Sequence, residues 1–279
     1  MPRAKARIRA DAEARLTRLA EPNPDWRPLL GVLRETLLLR DEAVAKLRLE
    51  CEPATLVPGA PFLQGATLHL GGAWLRDAAR RLAGAAGSAA PEDGHAAALL
   101  EAALREDAPA LESIARDSGA EPAALATLAR YAAIPLLAAC ATALPRVVTE
   151  SWQYGYCPLC AAWPLLVELR GLEQARRLRC GRCGTDWRGD WLRCVFCGES
   201  NHTRLGSLLS DTALNRCSVA TCASCGGYLK TIHTFMPLAF AELLVEDLET
   251  VELDLAARAR NFVRPPGLGF PLEVRLLLS

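Results

Sequence analysis

Four Cys-x-x-Cys pairs fall within residues 157–225 of this 279-residue chain: Cys157/Cys160, Cys180/Cys183, Cys194/Cys197 and Cys222/Cys225. Eleven cysteines scattered at random would give roughly 0.4 such pairs, so the spacing is not an accident of composition. Two cysteines three residues apart sit on one tight turn with both sulfurs facing the same way. One pair therefore supplies half of a tetrahedral metal site, and a second pair must supply the rest. Four pairs make two sites. A disulfide framework is the competing chemistry, but it belongs to small secreted chains. This chain is long, and its opening MPRAKARIRADAEARLTRLA alternates charge with alanine and lacks the apolar core and cleavage site of a secretory signal. Four thiolates select zinc or iron, and spacing does not distinguish them. A closed four-cysteine site has no open position for water, so neither site reads as catalytic.

Three pairings of the four knuckles are possible: sequential, cross-braced (first with third), or nested around 180/183/194/197. Loop length hardly separates them, since doubling a loop costs only about 0.6 kcal/mol. Local sequence favours the sequential one. Between Cys160 and Cys180, the apolar WPLLVEL and the segment ARRLR flank a glycine-containing turn. Between Cys197 and Cys222, TRLGSLLS and RCSVAT flank DTALN in the same way. Two hairpins would join Cys157, Cys160, Cys180 and Cys183 around one metal, and Cys194, Cys197, Cys222 and Cys225 around another. CGRCGTDWR and CASCGGYLK also continue alike, as an internal repeat would. The nested pairing stays open, because GTDWRGDWLR can form a hairpin of its own. Gly184, Gly198 and Gly226 directly follow the second cysteine of their pairs, where a left-handed residue turns backbone N–H groups toward the sulfurs. Ala161 departs from that pattern.

The elements that must carry these knuckles differ in composition along the chain. Residues 1–150 are rich in Ala, Leu and Arg, a helical composition. Leu29, Leu30, Leu33 and Leu37, then Val44 and Leu47, recur at three- and four-residue steps. GSAAPEDG (87–94) reads as a linker, followed by helices over about 95–117 and 122–144, with Pro122 in a first turn and Pro135 set to kink the second. From Ser151 cysteine, glycine and tryptophan rise. After Phe235 a helical pattern returns in PLAFAELLVEDLETVELDLAARARNF. The expectation is an α+β chain: an all-helical bundle over 1–150, one rubredoxin-like or zinc-ribbon module over 151–192, a second over 193–236, and a C-terminal helix and tail over 237–279.

Charge is balanced, 32 basic against 32 acidic residues, so no overall field draws the chain to nucleic acid or an anionic membrane. Pro53–Leu75 is interrupted by prolines and glycines, and Tyr131–Pro145 is too short to span a bilayer. These features point to a soluble, cytoplasmic chain without a membrane span. Cys217 reads as a strand-facing core residue, and Cys51 and Cys140 as small buried hydrophobes. His202 and His233 are surplus to the sulfur ligands, and His69 and His95 have no partner at ligand spacing. IARDSGAEPAALATL (114–128) has helix-turn-helix spacing, but its second helix offers only Arg130 to bases. Residues 170–193 hold seven arginines against three acids, which offsets thiolate charge or meets an acidic surface. Glu242–Asp254 carries six acids and no base, as a solvated face would. No nucleophile elbow, phosphate loop or carboxylate pair is present.

CPLC at 157, CGTDW at 183–187, Arg193 before Cys194, YLK at 228–230 and VEDLETVELDLAARARNFVR at 245–264 together resemble the formate dehydrogenase accessory protein family, FdhE. The resemblance is strongest over 157–264 and fainter at IRADAEARLTRLA. It implies a helical N-terminal domain and two rubredoxin-like ribbons carrying iron or zinc. It also implies a cytoplasmic maturation factor, not an enzyme, that binds the catalytic subunit of respiratory formate dehydrogenase before export. The alternatives from other classes are a rubredoxin-like electron carrier and a zinc-ribbon nucleic-acid binder.

Overall fold

A computed structural model of the chain describes residues 2–47, 57–88, 91–209 and 216–278. The chain forms two compact units that share it in alternating segments, one built from Met1–Arg15 and Pro145–Gly269, the other from Leu16–Leu144 and Phe270–Ser279. Helix α1 (Pro2–Ala20) begins in the first and ends in the second.

The helical unit holds α2 (Arg27–Lys46), α3 (Gly72–Ala86), α4 (Asp93–Arg105), α5 (Ala108–Ser118) and α6 (Pro122–Ala141). Val32 and Leu39 of α2 pack on Ala78 and Leu82 of α3, with Leu128 and Tyr131 of α6 closing over them. Helix α6 is long and apolar enough to cross a membrane, but half of that stretch is buried, and it packs along α2, α4 and α5. Its start is fixed by Glu121, whose carboxylate accepts from the N–H groups of Ala123 (3.0 Å) and Ala124 (2.6 Å). The single helix expected over 95–117 is two. Glu106 takes a left-handed conformation (φ 50°), Asp107 caps the next helix by accepting from Ala110 N–H at 3.1 Å, and Pro109 fits only a first turn.

The expectation of an all-helical first region is also corrected. Strand β1 (Ala66–Leu70) pairs in parallel with β8 (Val274–Leu278), from Ala66↔Val274 to Leu70↔Leu278. ATLHL alternates buried Ala66, Leu68 and Leu70 with Thr67 and the exposed His69, a period of two that suits a strand.

The other unit contains α7 (Arg146–Ser151) and a six-stranded sheet. Its strands are β2 (Leu166–Arg170), β3 (Ala175–Arg179), β4 (Asp186–Arg188), β5 (Leu205–Leu209), β6 (Cys217–Cys222) and β7 (Tyr228–Thr234), in the order β4-β3-β2-β7-β6-β5. Both anticipated hairpins are there, as β2–β3 and β5–β6; the turn residues 211–215 lie outside the described residues. The ribbons are not separate modules, however. Parallel pairing of β2 with β7, Leu166↔Lys230 through Arg170↔Thr234, fuses them into one sheet. Both strands are buried over most of their length, so neither can stand as a solvated edge.

The C-terminal helical pattern is likewise two helices, α8 (Phe240–Glu249) and α9 (Val251–Arg258), broken at Thr250 (φ −106°, ψ 25°). Their acidic run is not a solvated face. Lys230, fully buried on β7, reaches Asp247 and Asp254 at 2.7 Å each. Arg264 joins the same two carboxylates at 3.1 and 2.9 Å and donates to the carbonyl of Leu165. Glu246, 2% exposed, is held by Arg15 and Arg216. Two cations facing two anions make this buried cluster affordable and tie α8 and α9 to the sheet.

Candidate metal centres

The four Cys-x-x-Cys turns are copies of one backbone design. In each, the N–H of the first cysteine donates to the carbonyl five residues on: Cys157 to Ala162, Cys180 to Thr185, Cys194 to Glu199 and Cys222 to Gly227, at 2.8–2.9 Å. In each, the carbonyl of that cysteine accepts from the N–H four residues on, in Ala161, Gly184, Gly198 and Gly226, at 2.9–3.1 Å. Closing both bonds around so short a loop forces that fourth residue to a positive φ, 60°, 81°, 76° and 67° in turn. Glycine takes this conformation without strain, and Ala161 adopts it despite its Cβ.

The hairpins then bring the turns together in sequence. Cys157 Sγ lies 3.5 Å from Cys183 Sγ, and Cys160 Sγ 3.6 Å from Cys180 Sγ. In the second set the Cys194–Cys225 and Cys197–Cys222 separations are 3.7 and 3.8 Å. All four sulfurs of each set lie within 4.8 Å of one another. A disulfide needs about 2.05 Å, whereas a tetrahedron of sulfurs about 2.3 Å from a central ion has edges of about 3.8 Å. The spacing thus fits two closed tetrahedral sites and not four disulfides. The cross-braced and nested pairings are not what the fold brings together.

The two sets differ in their surroundings. All four cysteines of the first are buried. Burial pushes the thiols of Cys157 and Cys183 well up, so four thiolates persist there only around a cation. The N–H groups of Leu159 and Arg182 approach Cys157 and Cys180 at 3.4 Å, and the Thr185 hydroxyl lies 3.1 Å from Cys183 Sγ. These dipoles offset thiolate charge. Thr185 escaped the sequence reading, although it stands inside the CGTDW motif. In the second set Cys222 is buried and Cys194 half-buried, while Cys197 and Cys225 are exposed.

The remaining candidates stay apart from both sets. Cys217 is buried on β6, where burial raises its thiol pKa, and Cys140 is buried in α6. Cys51 lies outside the described residues. His69, His95 and His202 are exposed, and His233 sits half-buried on β7. Most of the arginine excess is spent internally. Arg170 and Arg179 pair with Glu168, Arg170 also pairs with Asp186, and Arg177 pairs with Glu150 and Asp186.

Fold and site define a protein with two tetracysteine sites on opposite halves of one continuous sheet. No family model matches the chain. It is similar to the FdhE homologue of Aquifex aeolicus, 34% identical over 119 residues, which are 41% of each chain. It is also similar to the FdhE homologue of Haemophilus influenzae, 29% identical over 42% of this chain and 39% of that one. The matched stretch spans about two fifths of the length of these curated relatives. The crystal structure of the FdhE protein from Pseudomonas aeruginosa superposes with a TM-score of 0.60 at 25% identity, covering 95% of both chains. The chain is thus similar to FdhE proteins in sequence over about two fifths of its length and in fold over nearly all of it.

Proposed function

We propose that this chain is a non-enzymatic maturation factor that binds the catalytic subunit of a respiratory formate dehydrogenase in the cytoplasm, before export. In this reading Cys157, Cys160, Cys180 and Cys183 hold one iron or zinc ion, and Cys194, Cys197, Cys222 and Cys225 hold a second. The two halves of the sheet, over 151–192 and 193–236, then act together as one metal-braced docking surface. The observation that carries the reading is the pair of closed sulfur tetrahedra, which supply rigidity and charge but no open coordination position for a substrate. Kinship with FdhE proteins supports the choice of client.

Two measurements test it. Elemental analysis after anaerobic purification is expected to give two metal ions per chain and to identify them. The wild-type protein is expected to capture the purified catalytic subunit, and Cys180→Ser or Cys197→Ser to lose it. Undiminished formate dehydrogenase activity in a strain lacking the gene for this chain would contradict the proposal.

A further inference from the structure

Beside the second cysteine set, the sheet unit contains a half-open cleft of about 720 Å³ bordered by Cys194 and Cys197. That volume lies in the range of recognition pockets, roughly 300–1,000 Å³. One wall is a ladder of rings. Trp152 and Tyr154 stand 5.1 Å apart, Tyr154 stacks on Tyr156 at 5.3 Å, and Tyr156, Trp163 and Phe196 continue edge to face. The ladder is locked in place. Trp152 Nε1 donates to the carbonyl of Tyr156 at 2.7 Å. Gly155 lies so close to the second cysteine turn that a Cβ there would stand 1.7 Å from the Val195 carbonyl oxygen.

Arg176 and Arg188 also line the cleft, and neither joins a salt bridge among the described residues. The Arg176 side chain donates to the backbone carbonyl of Asp190 and lies within electrostatic reach of the Asp190 carboxylate and of Cys194. Arg188 is exposed and makes no ion pair or side-chain hydrogen bond among the described residues. The connector between the ribbons continues this surface, where Trp191 and Leu192 are 53% and 68% exposed between the lining residues Asp190 and Arg193. Trp, Tyr and Arg gathered around a preformed recess are the residue types that dominate protein–protein binding energy. Arg188, exposed and without an ion pair among the described residues, calls for an acidic side chain. A phosphodiester strand suits the chain less well, since 32 basic residues against 32 acidic ones supply no overall field for a polyanion.

We propose that this cleft is the docking mouth for the client protein. It takes an extended acidic segment, whose apolar side chain lies on the exposed ring of Tyr154 and whose carboxylates meet Arg188 and Arg176. The inference rests on the maturation-factor reading and deepens it. The probe is a fluorescein-labelled peptide with glutamates on either side of a Leu-Phe pair, titrated into the full-length metal-loaded protein and followed by fluorescence anisotropy. Arg188→Glu is expected to weaken binding about tenfold, the loss of one charge-assisted contact. Trp191→Ser is expected to weaken it severalfold. Arg258→Glu, an exposed charge reversal on α9 away from the cleft, should leave binding unchanged. Both cleft positions are exposed, so neither variant threatens folding.

Wild-type affinity in both cleft variants, no binding by the wild type, or displacement of the peptide by an oligouridylate that binds more tightly would each overturn the assignment. Capture of the purified formate dehydrogenase catalytic subunit separates the two levels. If the wild type captures it and both cleft variants do so equally well, the cleft is wrong and the maturation reading stands. If the wild type does not capture it, the maturation reading fails, and the peptide titration alone decides whether the cleft recognises acidic segments.

Discussion

Three cysteine turns end on a glycine with the same backbone conformation but different neighbours, so the same substitution should cost different amounts. An alanine at φ near +70° carries a strain of about 1–2 kcal/mol, offset by about 0.4–1 kcal/mol because the unfolded chain loses freedom. A Cβ at Gly226 would meet nothing nearer than the Asn261 carbonyl oxygen at 3.9 Å, and one at Gly198 only the Arg193 guanidinium at 3.5 Å. Gly226→Ala and Gly198→Ala should therefore each destabilise by about 1 kcal/mol. At Gly184 the Cβ would come within 3.0 Å of the ring of Phe240, which is buried at the start of α8 and has little room to retreat. Overpacking adds about 1–3 kcal/mol, so Gly184→Ala should lose about 2–4 kcal/mol. Thermal midpoints and urea titrations of the metal-loaded proteins supply the comparison, and a chromophoric chelator reports which site is loosened. Equal losses in all three variants would refute the argument from Phe240, and no loss at Gly226 would refute the argument from backbone strain.

Ala161→Gly should be close to neutral, because relief of about 1–2 kcal/mol of strain is offset by about 0.8 kcal/mol for the lost buried methyl and by greater freedom of the unfolded chain; a loss above about 2 kcal/mol in urea unfolding would contradict this. A chelator should strip the second site quickly, through the exposed Cys197 and Cys225, and the fully buried first site slowly; single-phase release of both ions would be inconsistent with that difference. Lys230→Met should destabilise by about 3–5 kcal/mol, since among the described residues it leaves Arg264 as the one cation shared by Asp247 and Asp254; calorimetry of the variant tests it. Burial opposes ionisation of Asp254, but Arg264 and Lys230 outweigh it and hold the carboxyl below its usual value of 3.8. The stability it contributes is therefore present above that value and lost as pH falls through the lower folded one, which acid titration of the unfolding midpoint should show weakened in Lys230→Met.

The knuckles and their sequential pairing were legible because each depends on residues close in sequence: Cys-x-x-Cys spacing, a following glycine, and two short apolar runs around a turn. The helix break at Glu106 was missed: Pro109 signals it, but the alanine-rich pattern on both sides reads as one continuous helix. The pairing of β2 with β7 left no local mark. It is decided by burial on both sides of LVELR and YLKTIHT, which depends on what α8 and α9 bring over the sheet. The acidic run misled for the same reason, because its counter-charges, Lys230, Arg264, Arg15 and Arg216, are distant in sequence. Strand β1 was hidden by its length, since five residues in helix-forming surroundings give too short a period to read.

The parallel pairing of Ala66–Leu70 with Val274–Leu278 constrains the order in which a nascent chain can mature. On a ribosome, β1 emerges early and must wait, its hydrogen-bonding edge open, until the whole cysteine sheet has been synthesised and β8 follows. All eight knuckle cysteines precede β8, so both sulfur sets can assemble while the helical unit is still incomplete. Premature termination before Val274 would therefore release a chain with intact cysteine turns and a bare strand edge, a species prone to self-association.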